Sequence, residues 1–123
     1  MTVRRYKMAK VSLQGKGNGE EVVHFIIEEM GRSSKSVELI DSVTRRIGDT
    51  TVYIMVFEKF FIRSSSWASL TVIVTAENDD IIVVAIGAGG AQDYLMKLSW
   101  GAEESFVSSI ENILSRENFT RIE

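Results

Sequence analysis

Few side chains in this sequence have the chemistry of catalysis or metal binding. Cysteine is absent and His24 is the only histidine among 123 residues. Thiol nucleophiles are therefore excluded, and a zinc site has almost no ligands to draw on. His24 lies four residues from both Glu20 and Glu28, on the polar side of a predicted helix, where a Ser–His–Asp triad is disfavoured. We predict a solvated histidine, no metal site, no cofactor and no assigned catalytic residue.

Glu58 is the carboxylate with the most unusual position. It falls on the apolar side of a predicted strand, residues 51–63. An isolated buried carboxylate is destabilised, so it would raise its pKa or find a partner such as Arg63 or Arg45. A strand bulge or an edge position would instead leave Glu58 exposed, and this is the interpretation that we prefer. A catalytic acid is the remaining alternative, although the sequence places no second carboxylate beside it.

A first glycine-rich segment, residues 15–19, lies between a predicted strand and a predicted helix. Backbone N–H groups at such a junction could receive a phosphate. The G-x-G-x-G spacing, however, lacks the third glycine of the dinucleotide fingerprint and the lysine of a P-loop. Glu20 and Glu21 would also repel an anion at the helix start. A flexible loop with Asn18 as the helix N-cap is the predicted structure.

A second segment, residues 87–90, has three glycines in four positions and ends a predicted strand at residues 81–86. Glycine permits positive φ angles and lets another group come close to the backbone. Two interpretations stay open: a structural hairpin, which we prefer, and a loop that contacts a ligand through Gly89, Gly90 and Gln92.

Composition and charge limit the class of protein. The apolar content is 45%, the charged content is 25% and the net charge is −3, as expected for one globular domain over residues 1–123. The acidic balance disfavours nucleic acid as a partner. No apolar run approaches the length of a membrane span. The lack of cysteine is compatible with a reducing compartment, so we predict a cytoplasmic protein.

The predicted elements form an α+β two-layer sandwich, in the order β-α-β-β-β-β-β-α. Two helices would lie on one face of an antiparallel sheet of five to six strands. Helix one is expected to stop at Gly31. The segment 91–98 is compatible with a strand or a helix, and we take it as strand. The predicted strands are 6–13, 36–40 with 43–47 after a kink or turn, 51–63, 67–75, 81–86 and about 94–100; the predicted helices are 19–30 and 102–116.

The longest strand is apolar on both sides. Side chains alternate along a strand, and a half-exposed antiparallel sheet should alternate between apolar and polar residues. Two helices cover only one face, so the other face needs a curl, a ligand or a partner subunit. We expect this second face to carry Tyr53, Met55 and Phe57, together with Trp67 and Ile73.

Three functional hypotheses follow. The first is a non-enzymatic binding module that takes an apolar small molecule or a partner against the aromatic-rich sheet face. The second is a structural homodimer without a ligand. The third is a small enzyme that uses Glu58 near residues 87–90. The candidate ligand or interface residues are Tyr53, Met55, Phe57, Glu58, Trp67, Gly89, Gly90, Gln92 and Trp100.

Three short motifs also resemble a known group of proteins. They are Val-Phe-Glu-Lys-Phe-Phe at 56–61, Ile-Gly-Ala-Gly-Gly-Ala-Gln at 86–92 and Ser-Trp-Gly-Ala-Glu-Glu-Ser-Phe at 99–106. Together they resemble a family of small, uncharacterised single-domain proteins of Gram-positive bacteria, a domain of unknown function. Ala91 stands where serine is expected in that family. The resemblance implies a bacterial, cytosolic protein of one domain, and it brings no activity or catalytic residue.

Overall fold

A computed structural model describes residues 8–62, 65–89 and 102–122 of the chain. Long strands dominate this part of the molecule, and two helices pack against them. The elements in chain order are β1 (Met8–Lys16), α1 (Gly19–Ser33), β2 (Val37–Ile47), β3 (Thr50–Phe61), β4 (Ser66–Glu77), β5 (Asp80–Gly89), α2 (Ala102–Ser115) and β6 (Thr120–Arg121).

The strands form an antiparallel sheet in the order β2-β3-β4-β5-β1-β6. Strands β2 to β5 are sequential neighbours, as in a meander, and β1 then pairs with β5. The turns match the residues that form them. Gly48 has φ +60° between β2 and β3, and Asn78 has φ +56° between β4 and β5, a conformation that glycine and asparagine adopt with little strain.

Both helices pack on the same face of the sheet, against each other and against β4. Strand β4 shows this most clearly, because every second residue from Ala68 to Ala76 is buried and the residues between them are only partly buried. The core lies between the two layers. Its largest fully buried side chains are Phe57, Phe106, Leu13, Ile26, Met30, Met55, Leu70, Ile81, Ile110, Leu114 and Val72.

The predicted α+β class, the antiparallel sheet and the two helices are confirmed. The predicted stop of helix one at Gly31 is wrong, because α1 continues to Ser33. An exposed glycine weakens a helix without ending it, since no left-handed turn follows here. The expected strand at 94–100 lies outside the described residues. The two-residue strand β6 was too short to show any period in the sequence.

The expected pair of short strands at 36–47 is a single strand, β2, with an irregularity inside it. Its register against β3 shifts between Leu39 and Asp41. One additional residue, Ile40, is accommodated there, as in a β-bulge. The kink that the sequence indicated is therefore real, but it interrupts the pairing without ending the strand.

Candidate functional site

The two faces of β3 are the reverse of what the sequence suggested. Met55 and Phe57 are 1% exposed and lie in the core beneath the helices, and Tyr53 packs partly buried against the same core. The prediction that these three residues lie on the uncovered face is therefore wrong. Alternation shows which residues share a side of a strand, but it does not tell which side the helices cover.

The uncovered side of the sheet carries the other set of β3 residues. Residues paired across antiparallel strands share a face, so the register defines this surface, which we call the outer face. Its rows across β2, β3, β4 and β5 are Arg45–Val52–Thr75–Ile82, Val43–Ile54–Ile73–Val84, Asp41–Val56–Thr71–Ile86 and Glu38–Glu58–Ser69–Ala88.

The outer face is apolar over most of its width. Ile54, Val56 and Ile73 form its middle and are only partly buried, since α1 and α2 both pack on the other face. At one end, Trp67 is 52% exposed and its ring centroid lies 5.3 Å from that of Phe60. Trp67 was expected on an uncovered face, and this placement is confirmed, although it shares that face with Ile54 and Val56 and not with Tyr53.

Glu58 is exposed on the outer face, as predicted. It lies one strand in from the edge strand β2, directly opposite Glu38 and beside the bulge. Lys59 points to the other side, where its Nζ lies 4.7 Å from the centre of the Phe61 ring. Within the described residues neither Glu58 nor Glu38 forms an ion pair. Two carboxylates thus face each other with no cation between them among the residues that the structure describes.

Arg45 is the cation on the same edge of the outer face. It lies on β2 in register with Val52, six residues along the strand direction from the level of Glu58. Its guanidinium donates a hydrogen bond to the carbonyl of Thr44 (2.9 Å). The charge on Arg45 therefore has no carboxylate partner within the described part of the chain.

The second glycine-rich segment starts as strand, not as a loop. Gly87 and Gly89 belong to β5 and pair with Leu70 and Ala68 of β4. The predicted strand end at residue 86 is therefore wrong, because β1 and β4 flank this part of β5 and hold it extended. The other candidates of this region, Gly90, Gln92 and Trp100, lie outside the described residues.

The first glycine-rich segment is occupied by internal contacts. Asn18 caps α1, and its side-chain oxygen accepts a hydrogen bond from the amide of Glu21 (3.1 Å), which confirms the predicted N-cap. The amide of Gly17 donates to the carbonyl of Asp79 (2.9 Å). Lys16 forms an ion pair with Asp80. The hydrogen bond that Lys16 donates to the Asp80 carboxylate, and the attraction of that negative charge, raise the pKa of Lys16 above its usual 10.5.

Two clefts among the described residues lie at the opposite end of the sheet from Trp67. One, of about 270 Å³, is lined by Phe25, Leu114 and Phe119 together with charged groups. Another, of about 630 Å³, lies where β1 and β5 meet the chain after α2. Neither includes Glu58 or Trp67. His24 is exposed, as expected.

Residues 8–62, 65–89 and 102–122 contain neither a cluster of metal-ligating side chains nor a membrane-spanning helix. Within these ranges no three His, Asp or Glu side chains come together as a metal site would require. Neither of the two helices described here combines the length and the apolar character that crossing a bilayer demands.

Fold and surface together define a small two-layer α+β protein in which, within the described residues, both helices cover one face of the sheet and leave the outer face free of helix. The chain belongs to the DUF6054 family, a family of unknown function, whose model matches residues 8–118. No curated protein matches the chain. The resemblance to an uncharacterised family is thereby confirmed, and the family supplies no activity.

Proposed function

We propose that this protein is a non-enzymatic binding module whose contact surface is the outer face of its sheet. The observation that carries the proposal is the apolar row Val43–Ile54–Ile73–Val84, which crosses the middle of that face next to Val56. Apolar patches larger than a few hundred Å² are rare on monomeric proteins and mark interaction sites. The carboxylates and Arg45 at the margins match the polar rim of protein interfaces.

The shape of the surface favours a protein over a small molecule as the partner. Small ligands bind in concave sites that enclose most of their surface, whereas the outer face is one side of a single sheet. The aromatic pair of Phe60 and Trp67 fits either partner. An apolar small molecule, the other partner expected from the sequence, would need additional walls around these rings.

Catalysis is less well supported than binding. Glu58 is exposed to solvent, and its cross-strand neighbours are Glu38 and Ser69. A general acid or base needs a pKa shifted toward neutrality, and burial or a neighbouring charged group supplies that shift. The surroundings of Glu58 offer a like charge and a hydroxyl in an open position, which suits a rim contact better than acid–base chemistry.

The absence of cysteine allows a clean test of this proposal. Thr71→Cys places a unique thiol in the middle of the outer face, and Ser108→Cys places one on the exposed side of α2. Each purified variant is labelled with a benzophenone maleimide, mixed with bacterial extract and irradiated. We expect discrete protein adducts from position 71 and none from position 108. Equal labelling from the two positions, or no adduct from position 71, would overturn the proposal.

The proposal also places the protein in the bacterial cytoplasm. A chain without cysteine is compatible with a reducing compartment, and the sequence motifs resemble proteins of Gram-positive bacteria. Fractionation of a native host with an antibody against the chain tests this part separately.

A further inference from the structure

We infer that the partner of the outer face is a second copy of this chain, packed face to face. The two copies are related by a two-fold axis that lies between the two sheets, parallel to them and perpendicular to the strands. This inference rests on the proposed function and names the occupant of the same surface. Three features of the described residues lead to it: the size of the face, the unbalanced charges along its β2 edge, and the symmetry that relates those charges.

The size of the face suits a stable dimer. The four strands β2 to β5, about 4.8 Å apart with roughly ten residues each at about 3.3 Å per residue, give a face of about 630 Å². Specific interfaces bury about 600–1,000 Å² on each partner, so this face lies at the lower end of that range. Two sheets stack with their mean strand directions within about 30° of each other, so a sheet face with an apolar middle can pack against its own copy.

Among the described residues, the outer face along β2 carries three carboxylates, on Glu38, Asp41 and the neighbouring Glu58, and one cation, on Arg45. Glu38 and Glu58 lie directly opposite each other, and like charges in that position destabilise a sheet. Arg45 lies on the same face and the same edge, about 20 Å away at about 3.3 Å per residue. At that separation in solvent the arginine is screened from both carboxylates.

A two-fold axis perpendicular to the strands gives this carboxylate pair a cation from the other copy, while Asp41 on the same edge faces Val43 of that copy. The rotation keeps β2 over β2 and exchanges the two ends of every strand. With the axis midway between the levels of Val52 and Glu58, Ile54 of one copy faces Val56 of the other. Arg45 of each copy then lies over Glu58 and Glu38 of the other. Such an isologous arrangement repeats each contact twice.

The first experiment measures mass and its dependence on one face. Sedimentation equilibrium of the whole chain should give a dimer at micromolar concentration. Ile54→Glu should raise the dimer Kd by about thirtyfold or more, since it charges the centre of the interface. Leu39→Glu is the control, because Leu39 is in register with Phe57 and lies on the helix side of the sheet. A monomeric wild type, or a dimer indifferent to Ile54→Glu, would overturn the inference.

The second experiment tests the symmetry. Arg45→Glu and Glu58→Arg should each weaken self-association by about tenfold, because each sets like charges against one another across the axis. An equimolar mixture of the two variants should associate again, since the glutamate introduced at position 45 then meets the arginine introduced at position 58, and the unchanged Arg45 of the other variant still meets Glu58 and Glu38. Arg32→Glu, on the exposed side of α1, is the control for the charge change.

These outcomes separate the inference from the proposed function. A mixture that fails to recover, or a dimer broken by Ile40→Pro in the edge strand but not by Ile54→Glu, would overturn the face-to-face arrangement. A monomer whose position 71 still cross-links to another protein would overturn the second copy and leave the binding module intact. A monomeric wild type that also gives no adduct from position 71 would overturn both the second copy and the binding module.

Discussion

Gly19 lies so close to Tyr53 that the first residue of α1 has no room for a side chain. A Cβ at Gly19 would lie 2.8 Å from Tyr53 Cε1 and 2.9 Å from the Cβ of Ala76. The start of the helix therefore rests directly on the aromatic ring, and the N-cap Asn18 precedes this contact. Tyr53 is thus part of the joint between helix and sheet.

This contact predicts opposite effects for two glycine substitutions in the same helix. Gly19→Ala should destabilise the protein by about 1–3 kcal/mol, because a methyl group overpacks the joint. Gly31→Ala should stabilise it by about 0.5–1 kcal/mol, since nothing lies within 4 Å of that site and alanine favours the helix. Urea unfolding of both variants checks the pair. A stabilising Gly19→Ala would show that α1 does not rest on Tyr53.

The assignment of faces predicts a large difference between two neighbouring phenylalanines. Phe57→Ala should cost about 3–5 kcal/mol, as for a fully buried aromatic residue. Phe60→Ala should cost about 0.5–1.5 kcal/mol, because it loses the contact with Trp67 on the outer face but leaves no core cavity. Denaturant unfolding at low protein concentration checks both values. Comparable losses would contradict the assignment of the two faces.

The sequence predicted the helices and strands better than it predicted which face of the sheet the helices cover. Helix α1 showed a full apolar stripe and a cap, and the alternation of β4 was read correctly. The face of β3 was assigned wrongly because both of its sides are apolar. A shift of one residue in register exchanges the two faces of a strand. The pairing of Phe60 with Trp67 depends on the length of the connection at 62–65, which propensities do not give.

A usable signal was nevertheless present in β4. One of its sides carries Ala68, Leu70, Val72 and Val74, and the other mixes Ser69 and Thr71 with apolar residues. The purely apolar side faces the helices, and the mixed side marks the open face. The glycines at 87 and 89 misled for a different reason. Glycine indicates a turn only where the chain is not held in a sheet, and here Gly87 pairs with both β1 and β4 while Gly89 pairs with β4.

The cap of α1 predicts a specific loss of stability. Asn18→Ala should destabilise the protein by about 1 kcal/mol, because the amide of Glu21 loses its side-chain acceptor. Asn112→Ala, at an exposed position inside α2, is the matched control and should be neutral or slightly stabilising. Thermal and urea unfolding measure both. Equal effects would indicate that the hydrogen bond contributes nothing to the start of the helix.

The ion pair of Lys16 and Asp80 predicts a pH dependence at the alkaline end. The side-chain hydrogen bond to Asp80, followed by the attraction of Asp80 and Asp79, raises the pKa of Lys16 above 10.5. A raised pKa means that the folded chain binds this proton more tightly than the unfolded chain does. The stabilisation is therefore complete below 10.5 and is lost as the pH rises through the folded-state pKa. High salt should reduce it, because both side chains are exposed.

Two measurements on the same pair check that direction. Titration of the Lys16 side chain by NMR should give a midpoint above 10.5, and Asp80→Asn should bring it back toward that value. The stability difference between wild type and Lys16→Met should stay constant through neutral pH and shrink once the pH passes 10.5. Lys35→Met, at an exposed lysine, controls for loss of a charge alone. A difference that grows with rising pH would contradict the raised pKa and, with it, the role of Asp80 in holding the start of β5 to the end of β1.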